Sequence, residues 1–400
     1  MSLELSKKLS TLSPSVTLAI TAKAKEMKDS GIDVVSFGAG EPDFNTPEFI
    51  QEAGIASIKA GKIRYTPASG LNDLKLAICK KLKNDNNLDY EPSNIVVSNG
   101  AKHSLFNALQ AICNPGDEVI VPNPYWVSYP ELVKVADAIP VYVEVKESEG
   151  FKYSIEALDK ALTSKTKAII INSPNNPTGS MYDESELKAL AEWAVKNEIY
   201  VISDEIYEKL VYDNHKHFSI AQFGEAIKNQ TIVINGVSKA YAMTGWRIGY
   251  SAANKEITKM MSSYQSHATS NPCAISQYAS IEALNGDTTE IEKMRLAFEK
   301  RRTLMTDLVN GIDGISCILP KGAFYIMVNI TKIFGKKCGD KIINNSMDFS
   351  DLLLSEEKVA VIPGAGFGTD DFIRLSYATS EENIIKGLDR IKDFIGKLND

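Results

Sequence analysis

The sequence is short of the residues from which disulfide frameworks and metal centres are built. Its five cysteines, Cys79, Cys113, Cys273, Cys317 and Cys338, are odd in number, widely scattered and without a C-x-x-C spacing. Neither a disulfide scaffold nor a zinc ribbon is expected from them. Histidine is scarcer, with four: His103, His215, His217 and His267. His215 and His217 fall in a polar stretch, DNHKHF, and read as a solvated pair rather than metal ligands. No apolar run approaches the roughly 20 residues of a membrane-spanning helix. The net charge is −7 and no block of Lys and Arg is long, which points to small-molecule partners rather than nucleic acid or a membrane surface. The opening MSLELSKKLSTLSPS has no continuous apolar stretch and an early acid, so no secretory signal is read there and a reducing cytoplasm is expected. Internal repeats and low-complexity segments are also lacking.

What is present is an ordinary globular composition: 400 residues, 44% hydrophobic and 24% charged, enough for one large or two smaller domains with a full core. Helical spacing marks residues 16–27, 47–60 and 71–84, with a short strand at 33–37. From residue 95 the pattern alternates. Strands are predicted at 95–97, 118–121, 140–145, 168–172, 200–203, 231–235 and 247–252, with helices at 101–112, 154–162, 183–196 and 221–227 between most of them. Several of these strands are β-branched runs without polar alternation, as in a sheet buried on both faces. An α/β fold with a mostly parallel seven-stranded sheet follows. Two long helices are expected at 257–284 and 289–311. Strands at 315–319, 324–329, 359–362 and 372–377, with helices at 348–357 and 381–398, suggest a smaller α+β domain. The expected division is 1–48 as an arm and part of the small domain, 49–295 as the large domain, and 296–400 as the rest of the small one.

The chemistry concentrates in TIVINGVSKAYAMTGWRIGY, residues 231–250. A lysine in a small-residue, largely apolar run is unusual. Out of water its ammonium is disfavoured, so Lys239 would be a nucleophile near neutral pH, able to form a Schiff base with a carbonyl. Ser238 beside it and Arg247 farther on would together bind one phosphate. Pyridoxal phosphate is the simplest ligand with both an aldehyde and a phosphate. Taken alone, Ser-Lys after a strand is more simply a surface pair.

Other polar outliers stand at predicted strand ends, where open α/β sheets bind ligands. Asp204 ends an apolar strand and would pair with a protonated ring nitrogen, keeping the cofactor an electron sink; a helix N-cap is its ordinary alternative. Asn176, in the stiff turn SPNNPTG, and Tyr207 are placed to reach the ring oxygen; an Asn-Pro turn needs no ligand. Gly100, Ala101 and Lys102 open a helix whose free N–H groups suit a phosphate, or simply join strand to helix. Trp126 would stack on the ring, or belong to the core. Arg374, inside the apolar run Phe372–Leu375, calls for an anion: a substrate carboxylate or an internal acid.

Together these motifs, in order from Val16 to Leu398, resemble fold-type I pyridoxal-phosphate enzymes, and more narrowly class I aminotransferases. GAGEPDF (38–44), NPYWVSYPE (123–131), NSPNNPTG (172–179), SDEIYEKL (203–210), AMTGWRIGY (242–250) and RLSYATSEEN (374–383) are similar to the bacterial subgroup of aspartate aminotransferases. The resemblance implies that Lys239 holds pyridoxal 5′-phosphate and shuttles a proton, that Asp204 pairs the ring nitrogen, and that Asn176 and Tyr207 bind the ring oxygen. Ala101, Lys102, Ser238 and Arg247 would line or approach the phosphate end, and Tyr65 would reach the phosphate of a neighbouring subunit. Trp126 would cover the ring, and Arg374 would hold the substrate α-carboxylate with the Gly40 backbone nearby. A homodimer with shared sites, an amino acid and a 2-oxo acid as substrates, and amino transfer from L-aspartate to 2-oxoglutarate are likewise implied.

One departure bears on specificity. The better-known subgroup reads the distal carboxylate with a partner-subunit arginine, but residues 262–278 here contain no Lys or Arg. Lys102 is then the candidate cation. Ser13 stands where prephenate-using relatives carry a basic residue, which disfavours that activity. Rival readings are an aminotransferase of other specificity (aromatic, alanine or prephenate), a lyase or synthase on the same fold, or a regulatory module. The regulatory reading is disfavoured, since these 400 residues offer neither room nor a basic helix for the DNA-binding domain it would be expected to need. A nucleotide site is disfavoured, since Gly38-x-Gly40 runs into Glu41-Pro42 and no Gly-Lys precedes Ser or Thr.

Overall fold

The computed structural model describes residues 4–399. Its centre is a seven-stranded sheet in the spatial order Ile95–Ser98, Gly249–Ala252, Thr231–Gly236, Tyr200–Asp204, Thr166–Asn172, Glu118–Asn123 and Ile139–Glu144. Five neighbours run parallel; Gly249–Ala252 is antiparallel to the strand on each side of it. The β-branched runs are explained by burial on both faces. Ile169 and Ile171 pack on one side with Leu187 and Leu190, while Ile170 packs on the other with Leu105 and Val133. The sheet is thus wrapped by helices, as a mostly parallel sheet must be.

A second sheet is antiparallel, in the order Ile362–Pro363, Phe372–Ser376, Tyr325–Asn329. Val35–Ser36 pairs in parallel with Val359–Ala360. Phe37, Phe298, Phe324, Phe349 and Phe394 fill the core beneath them, closed by the helix Glu381–Gly396. Ser380 caps that helix by accepting from the Asn383 N–H at 3.2 Å, a contact typically worth ~1 kcal/mol.

Several expected elements are redrawn. The helix predicted at 257–284 is two, Lys255–Ala268 and Ala274–Asn285. Ser270 takes a left-handed φ of 61° between them, and Pro272 could not donate to a continuous helix. Residues 315–319 form no strand; Ser316 makes only an isolated bridge to Asn329. The stretch 221–227 divides at Gly224, φ 128°, into a 3-10 turn Ile220–Phe223 and the helix Glu225–Gln230. A helix at Ser128–Val135 had no sequence expectation, because Pro130 obscures its apolar spacing.

The histidine pair is also corrected. His215 is exposed, but the His217 side chain is only 7% exposed and its Nε2 lies 3.3 Å from Glu205 Oε2. It belongs to a buried ionic pocket behind the main sheet. Glu205 Oε1 accepts from Ser203 at 2.8 Å and Ser219 at 2.6 Å. Glu208 is paired with the Lys81 ammonium and accepts from Asn86 at 2.8 Å. Glu205, Glu208 and His217 could geometrically hold an ion, their ligand atoms lying within 4.8 Å of one another. Lys81 already supplies the positive charge, so the pocket is read as structural.

Candidate active site

The carboxyl ends of the parallel strands open into a cavity of about 700 Å³. Strand register sets Asn172 directly beside Asp204. The Asn172 side chain fixes the two loops together: its amide donates to the Asp204 carbonyl at 2.9 Å, and its oxygen accepts from the Asn176 N–H at 2.8 Å. Past these ends, alternation divides one short segment by direction. Asp204 and Tyr207 line the cavity, whereas Glu205 and Glu208 turn back into the ionic pocket.

Lys239 lies three residues beyond the strand Thr231–Gly236 and lines the cavity. Its ammonium donates to the Gly40 carbonyl at 2.6 Å and stands 5.9 Å from the Tyr207 ring centre. Burial lowers its pKa to about 8, helped by Arg247 and Arg374 and opposed by Glu41 and Asp204. The neutral amine is the nucleophile, and it is the form lost as pH falls. Capture of pyridoxal phosphate by the apoprotein should therefore drop about ten-fold per pH unit below 8 and level off above it. Stopped-flow absorbance measures this; a midpoint near the ordinary 10.5 would contradict the burial argument.

Asp204, 4% exposed, is raised by burial to about 6, against the opposing hydrogen bonds from Tyr129 and the Ile206 N–H. The Tyr129 hydroxyl donates to Oδ2 at 2.7 Å. Among the described residues the Asp204 carboxylate accepts from a phenol and a backbone N–H and has no cation in direct contact, with Lys239 acting on it only at a distance.

Arg374 sits in mid-strand, 2% exposed. It donates from Nη1 to Asn176 Oδ1 at 3.0 Å and from Nη2 to the Gly38 carbonyl at 3.2 Å. Its guanidinium lies 4.4 Å from the Tyr325 ring centre, and its Nε has no partner. Among the described residues no acid pairs with it, so every contact it makes is neutral.

At the other end of the cavity, the helix Ala101–Ile112 points its N-terminus inward and has no side-chain cap. Two glycines permit the approach. A Cβ on Gly249 would strike the backbone of Gly100 and Ala101, and a Cβ on Gly100 would strike the Arg247 guanidinium. Arg247 was expected to begin the strand; instead it follows the 3-10 turn Thr244–Trp246 with a φ of 57°, and the strand starts at Gly249. That turn aims the guanidinium, which among the described residues donates only to the carbonyls of Thr244 at 2.9 Å and Asn99 at 3.3 Å.

Of the sequence-selected residues, Gly40, Ala101, Lys102, Trp126, Asn176, Asp204, Tyr207, Ser238, Lys239, Arg247 and Arg374 converge on this one cavity. Gly40 serves Lys239 rather than Arg374, whose carbonyl partner is Gly38. The Lys102 ammonium lies 4.9 Å from the Trp126 ring centre, and burial lowers its pKa. Gly100 caps the helix without lining the wall. Tyr65 stands apart, 92% exposed. Tyr129, Asn172 and Tyr325 were not singled out. The first two fall within the motif stretches; Tyr325, 3.1 Å from the Tyr207 hydroxyl, had no signal beyond an apolar strand.

The donor set fits pyridoxal phosphate: a depressed amine for the aldehyde, a cation-deficient acid for the ring nitrogen, and an uncapped helix end with Ser238 and Arg247 for the phosphate. The sequence matches the family model "Aminotransferase class I and II" over residues 32–391. The chain belongs to this family of pyridoxal-phosphate-dependent aminotransferases, which act on amino acids and 2-oxo acids. It is 52% identical to the aspartate aminotransferase of Bacillus subtilis (strain 168) over 396 residues, 99% of this chain and 100% of that one. The crystal structure of the aspartate aminotransferase from Rhizobium meliloti superposes with a TM-score of 0.96 at 41% identity, covering 100% of both chains. That of Thermus thermophilus, solved with maleate, gives 0.93 at 41% identity over 98% of this chain and 100% of that one. No helix among the described residues is long and apolar enough to cross a membrane.

Proposed function

We propose that this protein is an aspartate aminotransferase, moving the amino group of L-aspartate to 2-oxoglutarate to give oxaloacetate and L-glutamate, as a cytoplasmic homodimer. The observation that carries the chemistry is one cavity holding a depressed lysine amine between an acid without a cation and an arginine without an acid. The aspartate assignment draws on relatives of that name, one of them solved with the dicarboxylate maleate.

Bound pyridoxal phosphate supplies an aldehyde for the amine and a ring that withdraws electron density from Cα. The protein does the rest. Lys239 would hold the aldehyde, and its free amine would serve as the base that takes the Cα proton of the amino acid and as the acid that returns it. The Gly40 carbonyl accepts from that amine. Asp204 would pair with the ring nitrogen, and Tyr129 fixes its orientation. Asn176 gives its oxygen to Arg374, leaving its N–H₂ to donate towards the ring oxygen beside Tyr207. Trp126 covers the ring and excludes water. The Ala101 helix end, Ser238 and Arg247 take the phosphate, with Tyr65 supplied by the partner subunit. Arg374 takes the α-carboxylate, and Lys102, free over Trp126, takes the distal one. The proposed division at 48/49 and 295/296 would put the seven-stranded sheet in one domain and the three-stranded sheet in the other, with the helix Thr289–Asn310 running unbroken across the second boundary.

An amino-acid panel tests this reading. Aspartate alone should convert the bound cofactor to its amine form and stop, with 2-oxoglutarate restoring it; a lyase or synthase would instead turn over continuously on the amino acid. Arg374→Lys keeps the charge but loses the planar fork. It should raise KM for aspartate about ten- to hundred-fold, from the loss of one or two charge-assisted hydrogen bonds. An unchanged KM would move the carboxylate site elsewhere.

A further inference from the structure

Tyr65 poses a question that its own subunit does not answer. The ring is 92% exposed, yet the loop that carries it is held firmly by two glutamines that are 0% exposed. Gln277, on the helix Ala274–Asn285, accepts from the Leu71 N–H at 2.7 Å and donates to Thr66 Oγ1 at 3.0 Å and to the Pro272 carbonyl at 2.9 Å. Gln265, on the helix Lys255–Ala268, donates to the Ala68 carbonyl at 2.6 Å and the Val97 carbonyl at 2.8 Å. Its oxygen accepts from Ser98 Oγ at 2.6 Å and Asn107 Nδ2 at 2.8 Å. The carboxamide is therefore used to its full capacity of two donors and two acceptors.

Those partners fall in two places. Val97 and Ser98 belong to the strand, and Asn107 to the helix, that aim the Ala101 N–H groups into the subunit's own cavity. Ala68 belongs to the Tyr65 loop, which is laid against the same strand by Val97 N–H donating to the Ser69 carbonyl at 3.0 Å. Gly70 is pressed so closely on Val97 that a Cβ would collide with it. Buried polar groups are costly unless matched, so a four-fold matched amide fixes the spacing of what it joins.

We propose that Gln265 is a positioning residue for two cofactor sites at once. Through Val97, Ser98 and Asn107 it sets the phosphate-binding helix end of its own subunit, and through Ala68 it sets the Tyr65 loop offered to the partner's phosphate. This rests on the homodimer reading above. Gln277 serves only the second of these tasks.

Gln265→Met keeps the length of the side chain and removes all four hydrogen bonds. Two hybrid dimers separate its two effects, with affinity read from absorbance and borohydride trapping at the one intact Lys239. In the first, one chain carries Q265M and its partner K239A, so the working lysine shares a chain with the substitution. In the second, Q265M and K239A are on one chain and the partner is unsubstituted, so the working site receives only the altered loop. Affinity for pyridoxal phosphate should fall about ten-fold in both, while affinity for pyridoxal, which has no phosphate, should not change. Gln277→Met should weaken only the second arrangement, and it keeps the test available should Q265M not fold.

Wild-type affinity in the second arrangement with either glutamine replaced, or equal losses for pyridoxal, would overturn the proposal. Tyr65→Phe tests its foundation separately. If that variant binds normally, or if sedimentation shows a monomer, the shared-site reading fails and takes this inference with it. If Tyr65→Phe weakens binding and the glutamine variants do not, only the inference fails.

Discussion

Lys239→Ala should abolish turnover rather than slow it. The residue has two duties, anchoring the aldehyde and moving the Cα proton, and the second alone typically contributes ~10²–10⁴-fold. The cavity holds a rival, since Lys102 also lines it and burial lowers its ammonium too. Position decides between them. Lys239 stands over Tyr207 and close enough to Asp204 and Arg374 for their charges to act on it. Lys102 lies against Trp126, with Arg247 as the charge that acts on it. Borohydride reduction of the holoprotein followed by peptide mass analysis should place the label on Lys239 and leave the alanine variant unlabelled. A label that moves to Lys102 with activity retained would reverse the assignment of the two lysines.

How far the sequence foretold this depends on what each signal had to specify. The seven strands were legible because burial on both faces demands β-branched runs, as in Thr166–Asn172, and their carboxyl ends were marked by polar residues with no place in a core. Asp204, Asn176 and Arg374 could be picked out for that reason. Partners made by the fold were not legible. Tyr129 reaches Asp204 across 75 residues, and its helix is hidden by a proline. Tyr325 looks like any aromatic in a buried strand until it is seen packed on Arg374. Arg247 reads as the start of a strand, but its φ of 57° belongs to the turn before Gly249, whose close approach to the Gly100 turn no local pattern encodes. His217 was misjudged for a related reason. The residues before it in sequence are polar, and its burial comes with its approach to Glu205.

The ionic pocket containing that histidine carries the largest stability effect expected in the molecule. Glu208 is buried behind the segment that presents Asp204 and Tyr207. Burial by itself would raise its carboxyl, but Lys81, His217 and Lys209 outweigh that and hold it down at about 2. Lys81 is the nearest of these charges, 4% exposed at its side chain and bonded also to Asn86 at 2.6 Å. Lys81→Met keeps the bulk and removes the bonded cation, leaving Glu208 the Asn86 amide and the unbonded charges of His217 and Lys209. Breaking a buried pair in this way costs about 3–5 kcal/mol, which urea unfolding would read as a lower midpoint. The sign of the pH dependence follows from Glu208. In the unsubstituted protein the carboxyl is depressed, so its contribution is present above the ordinary 4.5 and is lost as pH falls towards 2. In the variant burial is opposed by fewer charges, so the folded-state carboxyl is pushed up from there and less of that contribution remains at high pH. The gap between the two proteins should therefore narrow as pH is lowered towards 2, where the carboxyl approaches neutrality in both. Adding Glu208→Gln to Lys81→Met should restore most of the loss, since it removes the uncompensated charge. A single variant that loses under about 1 kcal/mol, the range of an exposed pair, would mean that Lys209 and His217 suffice. The Asp204–Tyr207 segment would then be held from behind by hydrogen bonds, with Lys81 adding little.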